Sequence, residues 1–303
     1  MSKKFEHLDA DESIHFSRQL EHVKAKTYDK KFTQLKARQV LPVSFEAGEA
    51  AESIKYEQYD QVGMAKIVRD YATDFKAADV KAKEFLSPIK SLGAAYQYSV
   101  QEVRASKMSG KPLEQRKANA AKRAIAQAEN QIAYFGDADH NLGGFLNNAN
   151  VPVVVFPHAG AWSGLTADQI LANLNALANN PISASNGVEV PDTMLVPISI
   201  YTLISSTARS STSDTTILKY FLTNNPFIKS VDWLEEANAA GAGGVPRLVA
   251  YRRDPDALTL EIPKDFEQFS VQEKGLAFKV PVHQRIGGVL IYYPLSMAYG
   301  DIV

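Results

Sequence analysis

The sequence contains no cysteine, which removes disulfides, thiolate metal sites and thiol nucleophiles together. It has no long apolar run. The longest, Val151-Pro-Val-Val-Val-Phe156 and Gly288-Val-Leu-Ile-Tyr-Tyr293, are strand-length and far short of the ~20 residues a membrane helix needs. No membrane association is expected. Neither sign of charge dominates: 33 basic residues face 34 acidic ones, for a net charge of -1. A dedicated nucleic-acid reader usually carries a strong basic excess. After Met1-Ser2-Lys3-Lys4-Phe5 come charged residues where a secretory signal would place an apolar stretch, so export by that route is not expected. The six histidines are far apart in the sequence.

The 303 residues are 45% apolar and 22% charged, the balance of a folded chain with one or two cores. The first forty residues are polar, free of Gly and Pro, and too sparse in apolar positions to fill a core. They read as an arm that leans on a partner. Within it Lys24, Lys26, Lys30, Lys31, Lys36 and Arg38 face a single acid, Asp29, which is either a solvated helix face or a strip that lies on an acidic neighbour or on DNA.

From Leu41 to Pro88 the pattern turns to short extended runs: Leu41-Pro-Val43, Ser53-Ile-Lys-Tyr-Glu-Gln-Tyr59 and Gly63-Met-Ala-Lys-Ile-Val-Arg69. Alternation with charges between the apolar positions predicts a long two-sided β-hairpin. Lys55, Glu57, Lys66, Arg69, Asp74, Lys76, Asp79, Lys81, Lys83 and Glu84 are scattered through it. A lone hairpin is marginal in water, so it is expected to be stabilised by packing on something else.

Pro112 to Phe135 is the clearest helix, closed by Gly136. At ~1.5 Å per residue it is a spine of roughly 36 Å. Its many alanines predict close packing on one side, with Ala124 on the packed face. Beyond Gly143-Gly144 an α/β unit is expected: a helix from Thr166 to Ala178, strand Thr193–Pro197, helices near Ile198 to Ser205 and Thr215 to Thr223, strands Leu248 to Arg252 and Ala257 to Ile262 flanking Asp254-Pro255, and closing strands Leu276 to Val282 and Gly288 to Tyr293.

Chemistry-bearing patterns are thin. Gly241-Ala-Gly-Gly-Val-Pro246 lacks the Lys-Ser/Thr of a phosphate loop and reads as a flexible loop. Asp137, Asp139 and His140 offer three metal-capable groups in four residues, with no second cluster to complete a shell. Ser210-Ser-Thr-Ser-Asp214 has no nucleophile elbow and suits a helix cap. His158 and His283 read as structural histidines, Trp162 and Trp233 as packing anchors. No catalytic, cofactor or metal site is expected, and no enzyme activity.

Several stretches are similar to one family of proteins: Leu41-Pro-Val43, Glu52-Ser-Ile-Lys-Tyr56, Gly63-Met-Ala-Lys-Ile67, Ser87-Pro-Ile-Lys-Ser-Leu-Gly93, Pro112-Leu-Glu-Gln-Arg-Lys-Ala-Asn119, Gly143-Gly-Phe-Leu-Asn147, Arg252-Arg-Asp-Pro-Asp256 and Gly287-Gly-Val-Leu-Ile-Tyr-Tyr-Pro294. From Gln39 onward the chain resembles the major capsid proteins of tailed double-stranded DNA bacteriophages, which have the Hong Kong 97 fold.

The resemblance implies an α+β subunit with an N-terminal arm over 1–45, an E-loop hairpin over 46–88, a peripheral domain over 89–147 and 266–303 carrying the spine helix, and an axial α/β domain over 148–265. It implies pentamers and hexamers tiling an icosahedral shell around double-stranded DNA, assembled in the host cytoplasm, with portal and possible decoration proteins, and with the hairpin charges and Lys24, Lys30, Lys31 and Arg38 of the arm as intersubunit contacts. Forty residues ahead of the resemblance leave little room for a built-in scaffold, so a separate scaffolding protein is expected. Although some relatives join Lys to Asn covalently, no crosslink is expected here. An encapsulin-type compartment shell has the same fold and stands as the alternative, which a neighbouring cargo-enzyme gene would favour. A cytosolic α/β enzyme is a second alternative, which would leave the arm and hairpin unexplained.

Overall fold

A computed structural model describes residues 33–62, 79–109, 113–210 and 212–303, and Leu35–Val303 make one compact unit. Its centre is a five-stranded sheet in the order Val153–Val154, Met297–Asp301, Arg247–Tyr251, Thr193–Pro197, Ser230–Leu234. Arg247–Tyr251 runs antiparallel to both its neighbours, while the two outer strands pair in parallel. Side chains alternate across a sheet, and here both faces are covered. Met194, Val196, Leu248, Ala250 and Ala298 meet Trp162, Leu174 and Leu177 on one side, whereas Leu195, Val249, Tyr251, Met297 and Tyr299 meet Tyr134, Phe145 and Leu146 on the other. Burial on both faces is why these strands read as unbroken apolar runs.

The helix over the first face spans Ala167–Ala184. Thr166 and Gln169 close its start as a reciprocal capping box. Expected to stop at Ala178, it continues through Pro181, which forgoes one backbone bond but is itself buried with Leu177 and Ala178. Helices Ile198–Ser206 and Ile217–Asn224 follow the expected positions. The cap of the second is Thr216, after a small hairpin of Ala208–Ser210 with Ser213–Thr216.

The spine helix is Leu113–Phe135, ended by Gly136 at φ +66°, a left-handed position that glycine adopts without penalty. Pro112 lies outside the described residues. Ala121 and Ile125 pack on Tyr96, Val280 and Val282 of a sheet in which the long strand Ala277–Ile286 is flanked by Lys90–Ser99 on one edge and by Lys264–Gln268 and Gln272–Lys274 on the other. Ala124, expected on the packed face, is exposed. Ala121, Ile125, Glu129 and Ile132, spaced three and four apart, define the inward stripe. The strand Lys90–Ser99 and the helix Val100–Ser109 behind it were not anticipated. Ser99 and Glu102 cap that helix reciprocally, at 3.1 and 2.8 Å.

A third sheet joins Val43–Ser44, Leu258–Glu261 and Gly288–Ile291. The strands on either side of Asp254-Pro255 therefore belong to different sheets, because Asp254 folds a local turn on the Asp256 amide and Arg252 that redirects the chain. The closing strand Met297–Asp301, expected with the spine, is hydrogen-bonded into the five-stranded sheet. Among the described residues no helix is long and apolar enough to cross a membrane.

Candidate assembly surface

Ser53–Val62 and Asp79–Pro88 form a continuous ten-step antiparallel ladder, from Ser53 opposite Pro88 to Val62 opposite Asp79. The hairpin is tied down at its base. The Ile89 amide donates to the Glu52 carbonyl at 2.8 Å and Ser87 Oγ to the Gly287 carbonyl at 3.3 Å. Tyr56 stacks on Phe85 at 5.0 Å and meets Tyr292 edge-on at 4.9 Å. Alternation then turns the intervening residues outward: Leu86 is 71% exposed and Tyr59 61%.

Charge is organised on the open face. Lys55 Nζ lies 2.7 Å from Glu84 across the ladder and 3.6 Å from Glu57, and the Tyr59 hydroxyl donates to Glu57 at 2.5 Å. The Tyr59 hydroxyl, then Lys55, hold the Glu57 carboxyl below the usual carboxylate range, while Glu84 raises Lys55. Lys83 sits 4.8 Å from the Phe85 ring. Asp79 and Lys81 stand opposite Val62 and Asp60 in the ladder. Lys66, Arg69, Asp74 and Lys76 lie outside the described residues, as do Lys24, Lys30 and Lys31.

The basic run expected to form an outward strip ends inside the subunit. Arg38 grips buried Glu129 of the spine with two bonds of 2.6 and 2.7 Å and reaches Asp265 at 2.7 and 3.2 Å. The side-chain amide of Gln284 donates to the same Glu129. Glu129 foremost raises the Arg38 guanidinium, and Arg38 in turn lowers Asp265. One residue before Arg38, the Ala37 amide donates to Asn130 Oδ1 at 3.1 Å. Lys36 lies 3.4 Å over the Trp233 ring and donates to the Trp233 carbonyl and to Asp232 at 2.9 and 3.2 Å. Three consecutive residues thus hold the spine helix to an edge of the five-stranded sheet, and sequence spacing alone gave no sign of it.

The sparse chemical candidates are used structurally. His140 Nδ1 pairs with Asp137 at 2.8 Å on the surface, which lowers Asp137, and among the described residues no three His, Asp or Glu converge on a metal position. Asn173 brackets the backbone of His158, accepting its N–H and donating to its carbonyl. In the glycine-rich loop, the Ala242 amide donates to Asp301 at 3.2 Å. That carboxylate is also paired with buried Arg247 at 2.7 and 2.8 Å, whose third donor goes to the Leu146 carbonyl. Burial pushes Asp301 up, but the Arg247 and Ala242 bonds outweigh it and hold the carboxyl below its ordinary range. Trp162 is packed edge-on against Phe156 at 5.6 Å, as expected of an anchor.

Comparison with known proteins points one way. A family model described as "Major capsid protein" matches residues 63–303. The search of curated proteins gives no match. Among solved structures, the capsid of Myoviridae phage XM1 superposes with a TM-score of 0.83 at 19% identity, covering 95% of this chain and 98% of that one. Mycobacterium phage Ogopogo gives 0.62 at 12% identity, covering 94% and 98%. A virus-like particle from Pyrococcus furiosus gives 0.57 at 14% identity, covering 87% and 91%. The architecture described above is therefore that of capsid subunits, the fold the sequence resemblance implied.

Proposed function

The chain belongs to the major capsid protein family, and from that premise we propose that it tiles an icosahedral shell as pentamers and hexamers around packaged double-stranded DNA. Its role is structural, not enzymatic, and its place is the phage capsid. The observation that carries the finer reading is the hairpin. A two-stranded ribbon is marginal alone, the described part of this one is anchored at its base, and Leu86, Tyr59, Lys55 and Glu84 are presented outward. A neighbouring subunit completes it.

On this reading the contacts between copies are the charges of the hairpin, Lys55, Glu57, Asp79, Lys81, Lys83 and Glu84, joined by Lys66, Arg69, Asp74 and Lys76 and by Lys24, Lys30 and Lys31 of the basic arm. Arg38, already committed to Glu129 and Asp265, contributes by fixing where the arm departs. Scaffolding, portal and decoration proteins are separate chains, and DNA is met without sequence preference. The test is to express the chain alone and with its neighbouring genes and examine the product by sedimentation and electron microscopy. Rings or shells are expected, and a persistent monomer under both conditions would refute the proposal. Denaturing electrophoresis of the particles is expected to show single subunits, not a covalent ladder.

A further inference from the structure

Among the described residues, the sheet beneath the spine helix has one edge with nothing on it. The strand Lys90–Ser99 pairs through its whole length with Ala277–Ile286, and no strand lies on its other side among the described residues. Which groups face that side follows from the pairing. Antiparallel residues opposite one another either both bond inward or both point away. The Pro281 carbonyl accepts from Phe269 on the far side of its strand, so Pro281 points away from Lys90–Ser99, and its opposite number Ala95 must do the same. Gly93 and Ser91, opposite His283 and Arg285, share that parity.

Two bonds confirm the assignment: the Gln97 carbonyl is taken by Lys117 Nζ at 2.8 Å and the Ser99 amide by Glu102 at 2.8 Å, both from outside the sheet. The N–H and C=O groups of Ser91, Gly93 and Ala95 have no partner among the described residues. All three residues are exposed, and none is a charge, a proline or a bulge, the devices that normally blunt an open edge.

We propose that the Ser91–Ala95 edge is a strand-acceptor site, occupied in the assembled shell by an extended segment of a second copy of this chain. Backbone donors and acceptors alternating at strand spacing are complemented only by another strand. Gly93 and Ala95 leave room for its close approach. The chain also carries the matching element, because among the described residues each strand of its two-stranded hairpin has one unpaired edge. The inference rests on the self-assembly proposed above and adds where one copy engages the next.

Residue-resolved hydrogen exchange on free subunits and on particles tests it. The Ser91, Gly93 and Ala95 amides are expected to exchange rapidly in the free subunit and at least about tenfold more slowly in particles, with the Ala94 amide, directed at Val282, protected in both. Ala95→Pro deletes only the outward donor at an edge position that tolerates proline. It is expected to leave subunit circular dichroism unchanged and to cut particle yield about tenfold. Particles in which the three amides exchange as fast as in free subunits would overturn this inference alone. Amides already protected in the free subunit would also overturn it. Failure of the unaltered chain to assemble at all would overturn both it and the proposal on which it rests.

Discussion

At the scale of single residues, the pair most exacting of its surroundings is Arg247 with Asp301, each side chain only 9% exposed. Removing one member of a buried pair leaves the other charge desolvated and unmatched, a loss of about 3–5 kcal/mol. Arg247→Met is therefore expected to lower the unfolding free energy by about 3–5 kcal/mol, measured by urea titration of unassembled subunits. The sign of the pH effect follows from the lowered Asp301 pKa. The folded form binds its proton less readily than the unfolded chain, so the pair stabilises above the unfolded value of about 3.9 and is lost as pH falls through the folded value. Asp301→Asn should be less stable than the parent at pH 7, with a smaller further loss between pH 5 and pH 3 in denaturant titrations.

At the scale of elements, the spine helix gives a paired test. Ala121 is 7% exposed against Tyr96 and Val280, and overpacking a filled site costs about 1–3 kcal/mol. Ala121→Leu is expected to lower thermal stability, while Ala124→Leu, on the open face, leaves the fold intact. Differential scanning calorimetry of both variants checks the assignment. For the hairpin, Leu86→Asp is expected to change subunit stability by no more than about 0.5 kcal/mol, as at other exposed positions, yet to reduce particle yield seen by sedimentation.

These elements also mark what was legible in advance. Thr193–Pro197, the helices after it, the Gly136 stop and the hairpin were readable because each has local punctuation or a clean period. Ala124 was misplaced because seven alanines among the helix's few apolar residues blur the periodicity. Lys90–Ser99 was missed because small residues alternate there with aromatics and no turn signal separates it from Pro88. The Arg38–Glu129 pair joins residues 91 positions apart, and no local pattern reports such a contact.

At the scale of the molecule, the core is held from both directions along the chain. Val43–Ser44 bonds to Leu260–Glu261, and Met297–Asp301 is an interior strand of the central sheet, flanked on both sides. Deleting residues 297–303 should expose Tyr251 and Val249 and leave an aggregating, unfolded product by circular dichroism and size exclusion. The same connectivity sets the order of events in the cell. Pairings this distant in sequence raise contact order and slow folding, and the central sheet cannot close until the ribosome has delivered residue 301. Nascent chains therefore carry no finished assembly surface, so lattice growth draws only on fully synthesised subunits and is spared poisoning by fragments.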